Sequence, residues 1–405
     1  MRRQRGLVGL AGLAALVGLG FMAKPTFAGV TTEQSASILV FPKVIADGTR
    51  DTIIQITNTS NSMQHAHCFY VNASLTDPSL PPGPANPPLW TETDFDIWLT
   101  KQQPTHWVVS TGRLDNPFDA SCRSTSCEPS TSGTDHADCC DAGFDPGHVP
   151  PVAPDFVGEL KCVQVDPSGA PLSGNSLKGE ATLEEPRTGD VSKYNAIGFI
   201  GNNKNNGDGI LCLGNSSAAS TTACPKGAEY DACPSAWLLD HPAAGAEDPV
   251  AEEFLCDSAG VFNCNSSVNT TLTVVPCSEN FETQTTPNVT LQFLVTNEFE
   301  QTLSASTTLN CWASYDLGSS TNGVSDIFNV GTLGGSIAQT QMRSAAKTPY
   351  GVLAVLEETH TANFSFDETS RTLVARSAQN GHTTFADQAG LDIITIPTDQ
   401  VQDTP

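Results

Sequence analysis

Residues 38–58 read ILVFPKVIADGTRDTIIQITN. ILVF and TIIQIT are short runs of β-branched and aromatic residues, set apart by a polar, Gly-containing break. The same grammar recurs outward along the chain in HCFYV (67–71), GELKCVQV (158–165), TLTVV (271–275) and TLQFLVT (290–296). Clusters of Asn, Gly, Pro, Ser and Thr separate these runs. Helical periodicity is scarce, and the best candidate helix is IAQTQMRSAAK (337–347), short and poorly amphipathic. Many short strands at this spacing predict an all-β protein of antiparallel sandwiches.

A repeat refines that expectation. LVFPK (39–43) precedes QITN (55–58) and then Cys68-Phe69, while TVVPC (273–277) precedes FLVTN (293–297) and then Cys311-Trp312. Each series is an apolar strand with Pro, a strand ending Thr-Asn, and a strand carrying Cys before an aromatic residue. Two related sandwich domains account for it, with loop lengths free to vary between copies. The division predicted is residues 1–28 as signal peptide, 29–200 as a first domain, 201–264 as a Cys-containing connection and 265–405 as a second domain. A disulfide-rich loop insertion at about 119–155 interrupts the first domain, and a Pro-rich loop occupies 76–89.

The words ILVFPKV, DTIIQITNTSN and LTVVPCSENF resemble a group of uncharacterised exported bacterial proteins. The strand pattern resembles the immunoglobulin-like sandwich modules of bacterial surface and secreted proteins. That resemblance implies two tandem immunoglobulin-like β-sandwich domains and an exported location, and it carries over no catalytic residues.

The first thirty residues agree on compartment. Arg2, Arg3 and Arg5 precede an apolar run from Gly6 to Ala23, and Thr26-Phe27-Ala28 sets small residues at the −3 and −1 positions of a cleavage site. This is the order of a secretory signal peptide, with an uncleaved anchor as the competing reading. No second apolar run of spanning length follows, so no membrane insertion is expected after cleavage. Removing the four basic residues of the signal from a net charge of −25 leaves −29. A surface that negative repels phosphate backbones and anionic lipid, which argues against nucleic-acid binding. Thirteen cysteines in an exported chain predict disulfides, with an odd one left over. Cys122, Cys127, Cys139, Cys140, Cys277 and Cys311 are the bridge candidates.

Candidate chemistry is thin. His65 and His67 of HAHC (65–68) share one face of a strand and could offer two imidazoles to a metal, but no third ligand is identifiable. The matching positions of the second series, Thr308 and Asn310, are polar, so a half-buried strand with its histidines outward explains the stretch. DHADCCD (135–141) mixes ligand types, yet its cysteines lack a zinc spacing and suit disulfides. NNKNNGDG (202–209) fails as a calcium loop, because Lys204 and Asn215 stand where acidic ligands belong. A hairpin turn at Asn206-Gly207 or Asp208-Gly209 is the simpler reading. Trp90, Trp98 and Trp107, beside Glu92, Asp94 and Asp96, could form a sugar-binding platform or serve a polysaccharide hydrolase. Against that, Phe95, Ile97 and Leu99 alternate as in a core strand. No nucleophile elbow, zinc-protease motif, phosphate loop or dinucleotide fingerprint occurs. The expectation is therefore an exported, non-enzymatic structural or partner-binding protein without a cofactor, its partner a protein or polysaccharide at the cell surface.

Overall fold

The computed structural model describes residues 29–77, 80, 86–113, 148–202, 204–215, 218–319, 324–345, 350–366, 369–383 and 390–397. The signal segment 1–28, Cys122, Cys127, Cys139 and Cys140 lie outside the described residues. Among the described residues twenty strands follow in chain order. The first nine are β1 (Ile38–Ala46), β2 (Asp51–Asn58), β3 (Gln64–Asn72), β4 (Thr91–Leu99), β5 (Pro104–Val108), β6 (Phe156–Val165), β7 (Leu177–Glu185), β8 (Asp190–Asn195) and β9 (Ile197–Phe199). Next come β10 (Ile210–Gly214), β11 (Ala236–Pro242), β12 (Val261–Pro276), β13 (Glu279–Asn280), β14 (Asn288–Asn297) and β15 (Thr302–Asn310). The last are β16 (Ala313–Asp316), β17 (Ile337–Ser344), β18 (Val352–Phe366), β19 (Thr369–Asn380) and β20 (Leu391–Thr395).

The fold is all-β, 58% strand and 5% helix, and its strands form five small sheets arranged as a five-bladed propeller. The sheets run β4-β3-β6-β1-β9, β5-β2-β7-β8, β10-β20-β13, β11-β17-β14-β15 and β16-β12-β18-β19. The blades are not successive meanders: β20 inserts between β10 and β13, antiparallel to one and parallel to the other.

Two tandem immunoglobulin-like sandwiches are therefore not the architecture. The reason lies in β1, which is buried along its entire length. Its alternate side chains enter two cores: Leu39 and Phe41 join Ile54, Ile56, Leu177 and Ala181, whereas Ile38 and Val40 join Val274, Phe293 and Leu356. A sandwich strand with one solvated face would alternate apolar with polar; a strand apolar on both faces must be covered twice. The larger core thus draws on both ends of the chain.

Ion pairs cross the same boundary. Glu357 of β18 receives Lys43 Nζ at 2.7 Å, both guanidinium nitrogens of Arg50, and Ser192 Oγ at 2.6 Å. Burial alone would raise the Glu357 carboxyl, but the charges of Lys43 and Arg50 outweigh it and hold the group far below the usual range. Arg376 of β19 reaches Glu185 at 2.9 Å and Asp190 at 2.6 Å.

Three further expectations change. The candidate helix at 337–347 gives β17, whose residues alternate exposed and buried from Ile337 to Ser344. Ala338, Thr340 and Met342 point inward while Ile337, Gln339, Gln341 and Arg343 point out, a strict period of two. Residues 202–209 are not a hairpin turn, because β9 pairs with β1 and β10 with β20. The repeat holds only in part. Asn58 and Asn297 end their strands in similar ways: each is buried, accepts a backbone N–H two residues on, and donates Nδ2 to carbonyl oxygens, Asn58 to Ser62 and Thr100 and Asn297 to Leu333. The third word diverges, since Cys68 lies within β3 and Cys311 lies between β15 and β16 with φ 66°.

Four disulfides join described residues: Cys68–Cys162, Cys212–Cys224, Cys233–Cys277 and Cys256–Cys264. Cys277 is thus a bridge residue, as expected, but Cys311 is a free thiol and the expected bridge there is withdrawn. These bridges are consistent with an exported or extracellular protein.

Candidate functional site

Of the predicted residues, His65, His67 and Trp98 meet on one face of the five-stranded sheet, together with Glu92, Asp94 and Asp96. Register sets His65 opposite Trp98, His67 opposite Asp96, Phe69 opposite Asp94 and Val71 opposite Glu92. On the other side of β3, β6 brings Val163 beside His67, Lys161 beside Phe69 and Glu159 beside Val71. Cys68 points the other way, into the bridge with Cys162.

The histidines are not outward. They are 3% and 1% exposed, and each Nε2 is held by an aspartate of β4, while His67 Nδ1 is buried with no hydrogen-bond partner among the described residues. His65 Nε2 lies 2.6 Å from Asp96 Oδ1, and its Nδ1 lies 3.0 Å from the Asp166 carbonyl. His67 Nε2 lies 3.2 Å from Asp94 Oδ2. Each histidine thus reaches diagonally, two residues along β4, to an aspartate that is itself partly exposed. The imidazole of His65 also stacks on Trp98 at 4.0 Å, and that of His67 stacks on Phe69 at 4.4 Å. Two carboxylates at i and i+2 on β4 answer two imidazoles at i and i+2 on β3; the matching D-x-D and H-x-H were the available signal. Among the described residues no group of three or more His, Cys, Asp or Glu side chains is set to hold a metal ion.

The three tryptophans do not form one platform. Trp107 is buried in the smaller core and donates Nε1 to the Tyr70 hydroxyl at 2.5 Å. Trp90 is buried in the larger core, with φ 51°. Only Trp98 reaches the surface, flanked by Asp96. The adjacent carboxylates have opposite environments. Burial, with help from the Asp94 charge, pushes Glu92 up to about 8, while the hydrogen bond from His67 draws Asp94 down.

Behind this row lies a cluster the sequence reading missed. Lys161 is buried between Glu159, 2.6 Å away, and Glu279 of β13, which it also contacts. Burial would lower the Lys161 ammonium, but the two carboxylates outweigh that and raise it. Burial holds Glu279 well above the usual carboxylate range, with Lys161 opposing. Phe281 closes the cluster, stacked on Phe69 at 4.2 Å with Lys161 Nζ 5.7 Å from its ring centre. The free thiol of Cys311 is pushed up to about 11, first by burial and then by the charges of Glu279 and Glu159, which suppresses the thiolate a nucleophile needs. Glu and Lys inside the apolar run GELKCVQV were the signal for this cluster, because a strand covered on both faces has no solvent for them. A polar recess of about 210 Å³ lies elsewhere, where β8 meets β19, lined by Glu180, Lys193, Tyr194, Asn195, Ala378 and Asn380.

No protein-family model matches this chain, and no curated protein is similar to it. The site is accordingly read from its own geometry.

Proposed function

We propose that this is an exported, non-enzymatic protein that acts through its surface, as a structural or partner-binding component of the cell surface or extracellular matrix. The observation that carries this reading is the outer part of the sheet β16-β12-β18-β19. Here β12, β18 and β19 run 16, 15 and 12 residues, and beyond β16 the distal halves of β12 and β18 pair with each other and with β19. Phe254, Phe262 and Leu373 are exposed at this end, Phe254 by 72%. The Cys256–Cys264 bridge ties the π-helical turn Glu252–Cys256, which carries Phe254, to β12. Each large apolar side chain left in water forgoes roughly 1.5–3 kcal/mol of burial, so a braced element that presents three of them suits recognition.

The test is fractionation of cells secreting the native chain. Retention on the envelope or matrix fraction, lost in Phe254→Asp/Phe262→Asp with all disulfides intact, supports the reading. Equal release of both proteins, or turnover of a polymer abolished by a single substitution, overturns it.

The environments of Trp98, Glu92 and Asp94 favour a second reading, a polysaccharide-binding module or hydrolase. A half-buried indole at one end of a row of carboxylates running along β4, of which Asp94 and Glu92 have opposed proton affinities, is suited to an extended sugar chain. Retention on polysaccharide columns that Trp98→Ala abolishes, or hydrolysis that Glu92→Gln abolishes, would select it.

A further inference from the structure

A sheet edge offers unpaired backbone groups to any passing strand, and proteins blunt their edges with charge, proline, shortness or cover. Most edges of this molecule follow that rule. β4 carries Glu92, Asp94 and Asp96; β19 carries Arg371 and Arg376; β5 is short and opens with Pro104. β9, β10, β13 and β16 have five residues or fewer, and β8 is tied to β19 through Asp190 and Arg376. β11 is covered by His382, which exchanges two backbone hydrogen bonds with Leu238 at 2.7 and 2.9 Å.

β15 breaks the rule. TLSASTTLN has nine residues with no charge and no proline, and its pairing with β14 runs unbroken from Asn288↔Asn310 to Thr296↔Thr302. Among the described residues no strand pairs with its other edge. The neighbouring outward row on β14, Asn288, Thr290, Gln292, Leu294 and Thr296, is uncharged too. On a chain of net charge −25, this is a neutral strip.

We propose that β15 pairs antiparallel with β15 of a second copy of this chain, joining two four-stranded sheets into one of eight strands across a two-fold axis at Ser306. The strand's sequence carries the choice of occupant, because reversed upon itself about Ser306 it nearly repeats. Thr302 then faces Asn310, Leu303 faces Leu309, Ser304 faces Thr308, and Ala305 faces Thr307. A two-fold pair must be complementary to itself, and this one sets leucine against leucine and hydroxyl against hydroxyl at Ser304–Thr308 and Ser306, with only small or uncharged polar side chains at the remaining pairs. Leu309 is fully buried and Leu303 packs against the same core from the edge, so the pairing continues that core across the seam. The strip also lets two acidic molecules meet where neither carries charge, and added salt strengthens the contact by screening the rest.

The experiment is sedimentation equilibrium of the full exported chain at low and moderate salt, followed by disulfide trapping in a Cys311→Ser background. The expected result is a species of twice the monomer mass, tighter in salt, and weakened at least tenfold by Ser306→Lys. Ser306→Cys should trap a covalent dimer, since antiparallel partners sit about 4.5–5.5 Å apart at Cα, within disulfide reach. Ser304→Cys should not, because four residues of strand set its two copies roughly 13 Å apart. Ser304→Lys with its fold intact gives a second charge test, should Ser306→Lys not fold. A monomer at every concentration and salt, a dimer indifferent to both lysine variants, or trapping equal at 304 and 306 would each overturn the proposal.

Discussion

Replacing Lys161 by Met tests the buried cluster most directly. The substitution keeps the volume and the apolar stem, and removes the one cation between Glu159 and Glu279, whose side chains are almost wholly buried. Breaking a buried pair from one side costs about 3–5 kcal/mol, because a charge is left without a partner. Here two buried carboxylates are left with no cation between them. Burial already raises Glu279 with Lys161 opposing, so removing Lys161 lifts its folded carboxyl further above the unfolded value of about 4.3, and the variant keeps its stability below that pH and loses it as pH rises toward the folded value. The slope approaches about 1.4 kcal/mol per pH unit for that group. Urea unfolding at pH 5 and pH 8, with the disulfides intact, should therefore give a deficit that is small at pH 5 and full at pH 8. Adding Glu159→Gln and Glu279→Gln should restore most of it. A deficit under 1 kcal/mol at pH 8, or one independent of pH, would refute the reasoning.

Glu357→Gln should cost about 3–5 kcal/mol at neutral pH by stranding Lys43, measured by the same unfolding assay. Because its folded carboxyl lies below the unfolded value, Glu357 stabilises the wild type above that value, and the advantage should fade as pH drops through the acid range. Asn58→Ala and Asn297→Ala should each cost about 2–4 kcal/mol, because each leaves buried turn carbonyls and N–H groups without partners. Paired Cys→Ala replacement of the Cys68–Cys162 bridge, which spans 94 residues, should lower stability by about 4–5 kcal/mol, against about 2.5 kcal/mol for Cys256–Cys264, which spans 8. Equal losses would show that loop closure does not govern either bridge.

The strand content was legible because β-branched runs between Asn, Gly and Ser clusters have few other solutions. β17 was misread because Ala, Gln, Met and Arg favour helices in isolation, while their alternation, the stronger signal in a packed protein, has a period of two. β1 announced its double burial as an unbroken apolar run, whereas the tandem sandwiches rested on the repeat of short words at 39–69 and 273–312, which the third word does not uphold. His65 and His67 were assigned to solvent by comparison with Thr308 and Asn310, although β3 is a central strand and β15 an edge. Which strand lies beside which is a long-range property, and nothing in ILCLG (210–214) names LDIIT (391–395) as its neighbour.

That last pairing bears on the order in which the molecule can be finished. A chain made from its N-terminus presents β10 and β13 long before β20, yet β20 lies between them. Asp392 on β20 also accepts from Ser278 Oγ at 2.6 Å and from the Gly351 amide at 3.0 Å, so three distant stretches wait on one late strand. Residues 391–395 therefore close the structure as a keystone closes an arch. A product cut short before residue 391 leaves β10 and β13 without the strand that joins them, and Ser278 and the Gly351 amide without their acceptor.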